Sequence, residues 1–242
     1  RDMGQKDITT NTNLRSLKTI LYYFMRLGYM DSFKISEIRV TKEPIETYSD
    51  AELRILLKKP DMKKASFVEL RNWTITNFIM GTAIRLKSLA NIKIKDIDFE
   101  NELITLTHTK NRRGQIVPIS HTLKAVLVEY TSYRGGEDED YLFSTAYGGK
   151  MKENALTGSM ALYNKRRGVM KTGVHRLRHT FARNWILNGG DVFRLQKILG
   201  HSSMDIVRNY VNMFSDDVQR DFNTFNPLEN ITEQQKKGIK LR

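Results

Sequence analysis

The sequence contains no cysteine, so disulfide bonds and thiolate metal sites are excluded, which suits a reducing cytosol. It also has no apolar run of about 18 residues and no signal-peptide pattern, so we expect a cytoplasmic protein with no membrane partner. Internal repeats and low-complexity tracts are absent too. Apolar residues make up 40% and aromatic residues 10% of the 242 positions, which argues against disorder and allows a sizeable core.

Acidic residues are scarce relative to basic ones. The chain has 27 Asp and Glu against 40 Lys and Arg, a formal net charge of +13 and a pI near 9.8. Such an excess favours a polyanionic partner, most often nucleic acid, although ribosomal and membrane-surface proteins share it. The acidic loop at 135–140 is the one patch that we expect to lie away from phosphate.

Apolar periodicity predicts a mainly α fold with a small three-stranded antiparallel β-sheet, an α+β protein. The strands are predicted at 92–98, 103–109 and 115–119, joined by turns at Asn101 and at 111–114. The helices are predicted at 14–27, 50–58, 67–80, 121–130, 153–166, 175–187 and 191–199, with a short one from Arg85. Ser49 and Glu52 have the spacing of a capping box, so a new domain is predicted to begin there.

The stretch from Val174 to Phe214 carries the most specific pattern. His175 and Arg178 lie three residues apart, on one face of a predicted helix. Gly200 ends the next helix, and His201 follows it directly. Tyr210 lies nine positions after His201, on a third predicted helix that Ser202 or Ser203 would cap.

These residues resemble the tyrosine recombinases, the phage-integrase family. The matching strings are His-Arg-Leu-Arg-His-Thr-Phe at 175–181 and Leu-Gly-His at 199–201, followed by Tyr210. The segment 82–89 is similar to the family's first arginine box, with Ala83 in place of a glycine and Ser88 in place of a glutamate. The resemblance covers about residues 48–215 and implies a fold like the tyrosine-recombinase catalytic domain.

The resemblance also implies the site residues and their roles. Arg85 and Arg178 would hold the scissile phosphate, and Tyr210 would attack it to give a 3′-phosphotyrosine. Lys110, seven residues before Val117, matches the lysine of the family's β-hairpin and would protonate the leaving 5′ oxygen. Two histidines would assist, His175 as an acid, base or orienting group and His201 as a hydrogen-bond donor. The chemistry requires no metal ion and no other cofactor. Further basic residues are candidates for DNA-backbone contacts: Arg112, Arg113, Lys165, Arg166 and Arg167.

By the same resemblance, the chain divides into four parts. Residues 1–40 are expected to be the C-terminal remnant of a helical core-DNA-binding domain with the start of a linker, and 41–47 the linker itself. Residues 48–225 would be the catalytic domain, and 226–242 a polar flexible tail. The implied function is site-specific DNA recombination as the integrase of a bacterial or phage-encoded mobile element at the nucleoid. The implied partners are double-stranded DNA attachment sites, a homotetramer on DNA, and accessory bending or directionality factors.

Two other functions remain open at the level of sequence. Type IB topoisomerases relax DNA through the same phosphotyrosine chemistry. Alternatively, the helices 175–187 and 191–199 could form a helix-turn-helix of a non-catalytic regulator. A metal site is disfavoured, because the spacing of His175 and His179 lacks the glutamate of the zinc motif and two arginines intervene.

Some of these residues also have an ordinary structural interpretation. Tyr210 lies in helical register with Ile206 and Phe214 and could simply be a core aromatic residue. His179 is expected to be a packed, hydrogen-bonded helix residue. After Tyr210, the residues Val218 and Phe222 suit a short amphipathic helix, which would either fold back on its own domain or dock on a neighbouring protomer.

Overall fold

The computed structural model describes residues 7–39, 46–106 and 114–200, together with 204, 207–208 and 210–211. The chain forms two compact units, Arg1–Pro44 and Ile45–Arg242, and the division between them falls inside the predicted linker 41–47. None of the described helices is both long and apolar enough to cross a bilayer. The helices of the described part are α1 (Asp7–Arg26), α2 (Asp50–Leu57), α3 (Phe67–Thr82), α4 (Leu86–Leu89), α5 (His121–Arg134), α6 (Glu153–Arg166), α7 (Val174–Leu187) and α8 (Val192–Leu199).

In the first unit, α1 begins seven residues earlier than the predicted helix 14–27. The Thr/Asn cluster at 9–13 is helical, and Asn11 within it binds the segment that returns along the helix. The Asn11 amide donates to the carbonyl of Ile38 at 2.8 Å and accepts the Ile38 N–H at 2.9 Å. Arg15 pairs with Glu37 at 2.7 Å.

The first helix of the second unit, α2, begins with the predicted capping box. The Ser49 hydroxyl accepts the Glu52 N–H at 3.3 Å, and the Glu52 carboxylate accepts the Ser49 N–H at 2.7 Å. Both bonds satisfy amides that have no partner inside the helix. The predicted start of a helix at residue 50 is therefore confirmed.

Helix α3 lies at the centre of this unit and packs against α2, α5, α6 and α7. It is buried on nearly every side, and its buried residues include polar as well as apolar ones. Phe78 and Ile79 are fully buried, and Trp73 is 4% exposed. The hydroxyls of Thr74 and Thr76 bond the carbonyls one turn earlier, so these buried polar groups are satisfied without breaking the core.

The sheet has the predicted order and antiparallel pairing, but its first strand is much shorter than predicted. The strands are β1 (Ile97–Asp98), β2 (Leu103–Leu106) and β3 (Gln115–Pro118), and Ile97 pairs with Ile104, which pairs with Val117. The prediction of a strand over 92–98 was wrong for 94–96, which form a 3₁₀ turn. The Asp96 carboxylate accepts the Lys93 N–H, and carbonyls of the acidic loop accept the next two amides, so these groups are not available to a strand.

The remaining boundaries differ little from prediction. Helix α6 matches the predicted 153–166, whereas α5 continues four residues past the predicted end at Tyr130. Asp191 caps α8 by accepting the Arg194 N–H at 2.7 Å, and Gly200 ends it in the left-handed conformation. The residues proposed to cap the following helix, Ser202 and Ser203, lie outside the described residues, as does the C-terminal segment from 212.

The packing of the core predicts that two leucines on successive helices differ strongly in their contribution to the free energy of unfolding. Leu127 of α5 is fully buried, whereas Leu162 of α6 is 50% exposed. We expect Leu127→Ala to lower the free energy of unfolding by about 2–5 kcal/mol, because it removes buried apolar area and leaves a cavity. Leu162→Ala makes the same chemical change in another helix and should cost less than about 1 kcal/mol. Urea unfolding of both variants measures the difference, and equal losses would contradict the packing described here.

Candidate active site

Helix α7 places three of the singled-out residues within one turn. His175 is exposed, Arg178 is only 6% exposed, and His179 is half-buried. The helix is held on both flanks, because Leu177 lies in the main core and Ala182 in a second, smaller cluster. We call this second cluster the site core; its buried members are Ala83, Ala182, Leu195, Leu199, Val207 and Tyr210.

Arg178 connects two turns of the chain that are distant in sequence. One guanidinium nitrogen donates to the carbonyl of Ala83, and the other donates to the carbonyl of Leu199 at 2.6 Å. Burial, together with the charge of Arg85, lowers the pKa of Arg178 to about 10. The guanidinium nevertheless stays protonated at neutral pH, so a positive charge is fixed inside the site.

Arg85 binds the chain one residue after the carbonyl of Leu199 to which Arg178 donates. It is the residue that precedes α4, and its guanidinium donates to the carbonyl of Gly200 at 2.6 Å. The chain reaches Arg85 through Ala83, which ends α3 in the left-handed conformation with φ 51°. The substitution of alanine for the glycine of the family motif therefore keeps the tight turn, at a conformational cost of about 1–2 kcal/mol.

The C-terminal end of α8 is the point where these side chains meet. Its last carbonyls lack the regular partner one turn further along a helix, although the Gly200 N–H binds the carbonyl of Lys197, and they carry the negative end of the helix dipole. The Gln115 amide donates to the carbonyls of Lys197 and Ile198, at 3.0 and 2.6 Å. The next two carbonyls along the chain accept from the two arginines. Every one of these four groups is thus satisfied by a side chain of the site.

Gly200 is required at this turn for two reasons. Its φ of +58° is unfavourable for other residues, and a Cβ atom there would lie 2.6 Å from the Gln115 side-chain oxygen and 3.1 Å from a guanidinium nitrogen of Arg85. The glycine therefore lets the arginine and the glutamine approach the chain closely.

Tyr210 combines a buried ring with a polar contact of its hydroxyl. It is 1% exposed and packs in the site core, so it is a core aromatic residue. At the same time its hydroxyl lies 2.5 Å from Nδ1 of His179, on the helix that carries Arg178. Burial raises the pKa of the Tyr210 hydroxyl, and the charge of Arg178 acts in the opposite direction.

The structure brings together three of the six predicted site residues, Arg85, Arg178 and Tyr210, and puts His175 on the same helix as Arg178. Lys110 and His201 lie outside the described residues, together with Arg112 and Arg113. Two contributors were not predicted as site residues. Gln115 follows the basic turn with no pattern to mark it, whereas His179 was expected to be hydrogen-bonded but its partner was not identified.

The other basic candidates differ in their surroundings. Lys165 and Arg166 are exposed at the end of α6. Arg167 instead donates to the carbonyls of Ile55 and Lys58, at 3.0 and 2.6 Å, and its guanidinium lies 4.7 Å from the Tyr163 ring centroid. Arg167 thus binds the carbonyls at the C-terminal end of α2.

Gly200 supplies a test of the close packing around α8. We expect Gly200→Ala to lower the free energy of unfolding more than Gly189→Ala does. Both glycines have a positive φ, 58° and 74°, so both variants carry strain of about 1–2 kcal/mol. Only the first also meets side-chain atoms, because nothing lies within 4 Å of a Cβ at Gly189. Urea unfolding measures both, and an equal loss would contradict the approach of Gln115 and Arg85.

His179 supplies a second test, in the pH dependence of stability. Burial and the nearby charges of His175, Arg178 and Arg176 lower the pKa of His179 from 6.5 to about 4. Between these two values the unfolded chain holds a proton that the folded protein does not, so stability is complete above pH 6.5 and falls as the pH approaches 4. We expect His179→Asn to show a smaller fall than the parent in thermal melts over this window.

The control for that measurement is His121→Asn, since the His121 side chain is 95% exposed. This variant should reproduce the fall of the parent protein. If His179→Asn and the parent lost stability in parallel, the imidazole would not be the group responsible.

The chain is similar in sequence to proteins of one known family. The sequence model of the phage integrase family matches residues 49–216. Tyrosine recombinase XerA of Pyrococcus furiosus is 28% identical over 166 residues, and XerA of Saccharolobus solfataricus is 32% identical over 148 residues. These matches cover 67% and 61% of this chain but only 57% and 48% of the relatives, so the chain spans about half of their length.

Solved structures show the same fold. The Tn1549 transposon integrase, in complex with transposon right end DNA, superposes with a TM-score of 0.72 at 18% identity, over 97% of this chain and 81% of that one. The crystal structure of XerA recombinase gives 0.63 at 24% identity, over 89% and 76%. The predicted fold class is therefore confirmed. Because the family model matches more than half of the sequence, the chain belongs to the phage integrase family.

Proposed function

We propose that this chain is the catalytic part of a site-specific DNA recombinase, the integrase of a mobile element. It cleaves and rejoins DNA through a 3′-phosphotyrosine at Tyr210. The observation that carries the proposal is the convergence of two arginines and the Tyr210 hydroxyl at one place in a single chain. Arg85 and Arg178 both bind the C-terminal turn of α8, and Tyr210 packs against the same turn.

Charge explains why this cluster suits phosphoryl transfer. A phosphodiester is an anion, and attack on it builds further negative charge in the transition state. Guanidinium groups offer paired donors and remain protonated, so Arg85 and Arg178 would stabilise that charge. Each guanidinium has five N–H donors, so a bond to a backbone carbonyl is compatible with a bond to a phosphate oxygen.

The remaining roles follow from the chemistry of the two oxygens. The phenol oxygen of Tyr210 forms the new bond to phosphorus, which keeps the bond energy for religation. The departing 5′ oxygen needs a proton, and Lys110 is the proposed donor. His175, exposed beside Arg178, would orient the phosphate or exchange a proton with it. His201 follows Gly200 in sequence and would donate a further hydrogen bond.

Double-stranded DNA attachment sites are the proposed substrate, in agreement with a net charge of +13. Lys165 and Arg166, exposed at the end of α6, are proposed backbone contacts, together with Arg112 and Arg113. Strand exchange between two duplexes needs four active sites, so a tetramer on DNA is the proposed assembly. Accessory bending factors, and a position at the nucleoid, are further parts of the proposal. The C-terminal residues Val218 and Phe222 would dock on a neighbouring protomer.

No observation favours the two alternative functions. A helix-turn-helix regulator would use α7 and α8 to bind DNA but would leave the convergence of Arg85, Arg178 and Tyr210 without a role. A type IB topoisomerase would use the same chemistry on a single duplex. Exchange of strands between two duplexes, rather than relaxation of one, distinguishes recombination from it.

The proposal predicts that Tyr210→Phe binds DNA as the parent does but forms no covalent complex. A library of nicked duplexes with randomised arms is the probe, because cleavage near a nick releases a short fragment and traps the protein on the DNA. Covalent product is measured on denaturing gels, and sequencing of the trapped strands identifies the preferred site. The variant keeps the ring in the site core and removes only the nucleophilic oxygen.

Tyr147→Phe is the matched control, since Tyr147 is 99% exposed and lies far along the chain from the site. It should give covalent product at the parental rate. Covalent product from Tyr210→Phe would show that another residue is the nucleophile, and the absence of product from the parent protein would overturn the proposed function.

A further inference from the structure

The contact between His179 and Tyr210 points to a function beyond packing. Nδ1 of His179 lies 2.5 Å from the Tyr210 hydroxyl, the atom that attacks phosphorus in the proposed reaction. We propose that His179 is a further catalytic residue, which orients this hydroxyl and accepts its proton through Nδ1 during attack. This inference rests on the proposed function. It assigns the acceptor of the phenol proton to one residue, where the alternatives given for His175 (acid, base or orienting group) left that acceptor open.

The geometry follows from the register of α7. His179 is one residue after Arg178, and its ring faces Tyr210 with the two ring centroids 5.7 Å apart. Arg178 holds α7 to the turns at Ala83 and Leu199, and Tyr210 packs against the same turns in the site core. The imidazole and the phenol are thus fixed by one set of contacts, which is the condition for a preorganised proton transfer.

The protonation states agree with a transfer from tyrosine to histidine. Burial and the charges of His175, Arg178 and Arg176, all on α7, lower the pKa of His179 to about 4. The imidazole is therefore neutral at neutral pH. Among the described residues outside α7, Tyr210 contacts the imidazole, and Arg85 acts on its neighbour Arg178. With the proton of the ring on Nε2, Nδ1 is an acceptor and the phenol is the donor.

The tyrosine needs such an acceptor. Burial raises the pKa of the Tyr210 hydroxyl, so the phenol is protonated at neutral pH and its oxygen is a weak nucleophile. The neighbouring positive charge of Arg178 favours the phenolate but does not take the proton away. The imidazole of His179 is already in hydrogen-bond contact with the oxygen.

In the proposed cleavage step, one bond to phosphorus forms, another breaks and two protons move. The Tyr210 oxygen forms a bond to phosphorus while its proton moves to Nδ1 of His179, and the bond from phosphorus to the 5′ oxygen breaks. The 5′ oxygen leaves with a proton from Lys110, the donor proposed above. In religation the imidazolium returns its proton to the tyrosine. A bound phosphate raises the pKa of the imidazole, because the anion stabilises the protonated ring, so the base becomes stronger when DNA is present.

The experiment compares the parent with His179→Asn over a range of pH. The asparagine oxygen can still accept a hydrogen bond near the position of Nδ1, but an amide cannot take up the proton. We expect covalent trapping on the nicked library to slow by about 10²-fold or more at neutral pH, the usual contribution of a general base. The ratio of the parental trapping rate to that of the variant should fall by about tenfold for each unit of rising pH, because the phenol then ionises without a base. This fall should end at or below the raised pKa of the tyrosine.

A purely structural role for His179 predicts a different result. Loss of packing would slow trapping by the same factor at every pH, and that outcome overturns the proposal, as does trapping at the parental rate. His179→Gln is the second variant, which guards against a local misfold of the asparagine protein. DNA affinity and melting temperature above pH 6.5 are measured for both variants, and His121→Asn should behave as the parent does.

Two further measurements separate this inference from the proposed function. Nitrogen NMR of the DNA-free protein should show an unprotonated Nδ1 on His179, whose signal shifts in Tyr210→Phe; a protonated Nδ1 overturns the inference alone. Failure of the parent protein to be trapped on any duplex overturns the proposed function, and the inference with it. Trapping of the parent with an unimpaired His179→Asn overturns only the inference.

Discussion

The C-terminal turn of α8 is the constraint on which the rest of the site depends. A helix ends with carbonyls that have no internal partner and carry partial negative charge. Here Gln115 and the two arginines satisfy them, so the same hydrogen bonds that end the helix also position the guanidinium groups. Gly200 makes this possible, since a side chain there would displace both Gln115 and Arg85. The same contacts at this turn therefore contribute both to stability and to the geometry of the site.

Burial sets the electrostatics of the site. Arg178 is almost fully enclosed, and its charge is tolerated because it binds two carbonyls from turns distant in sequence. The same enclosure keeps His179 neutral and raises the pKa of Tyr210. An isolated tyrosine in such surroundings would be inert. A neutral imidazole against its oxygen, with a guanidinium on the adjacent residue, gives the phenol a hydrogen-bond partner and a stabilising charge.

The sequence could predict the features that depend on local pattern. Apolar spacing located α6, and the Ser49 capping box marked the start of the second unit. The local pattern failed where tertiary partners competed for backbone groups. Residues 94–96 alternate like a strand, yet the Asp96 side chain and the acidic loop take their amides. Residues 7–13 look like a loop, yet Asn11 uses its amide to hold Ile38 while remaining helical.

The site, too, has features that the sequence could predict and features that it could not. By itself the sequence determined the family, because the histidine, arginine and tyrosine motifs have fixed spacings along α7, α8 and the turn after them. It could not decide whether Tyr210 is a core residue or a nucleophile facing a cationic site, since both need an aromatic residue in helical register. Only the tertiary structure decided that its ring is buried in the core while its hydroxyl meets His179. Gln115 has no motif because its role depends on a carbonyl about 80 residues away, a contact that folding alone creates.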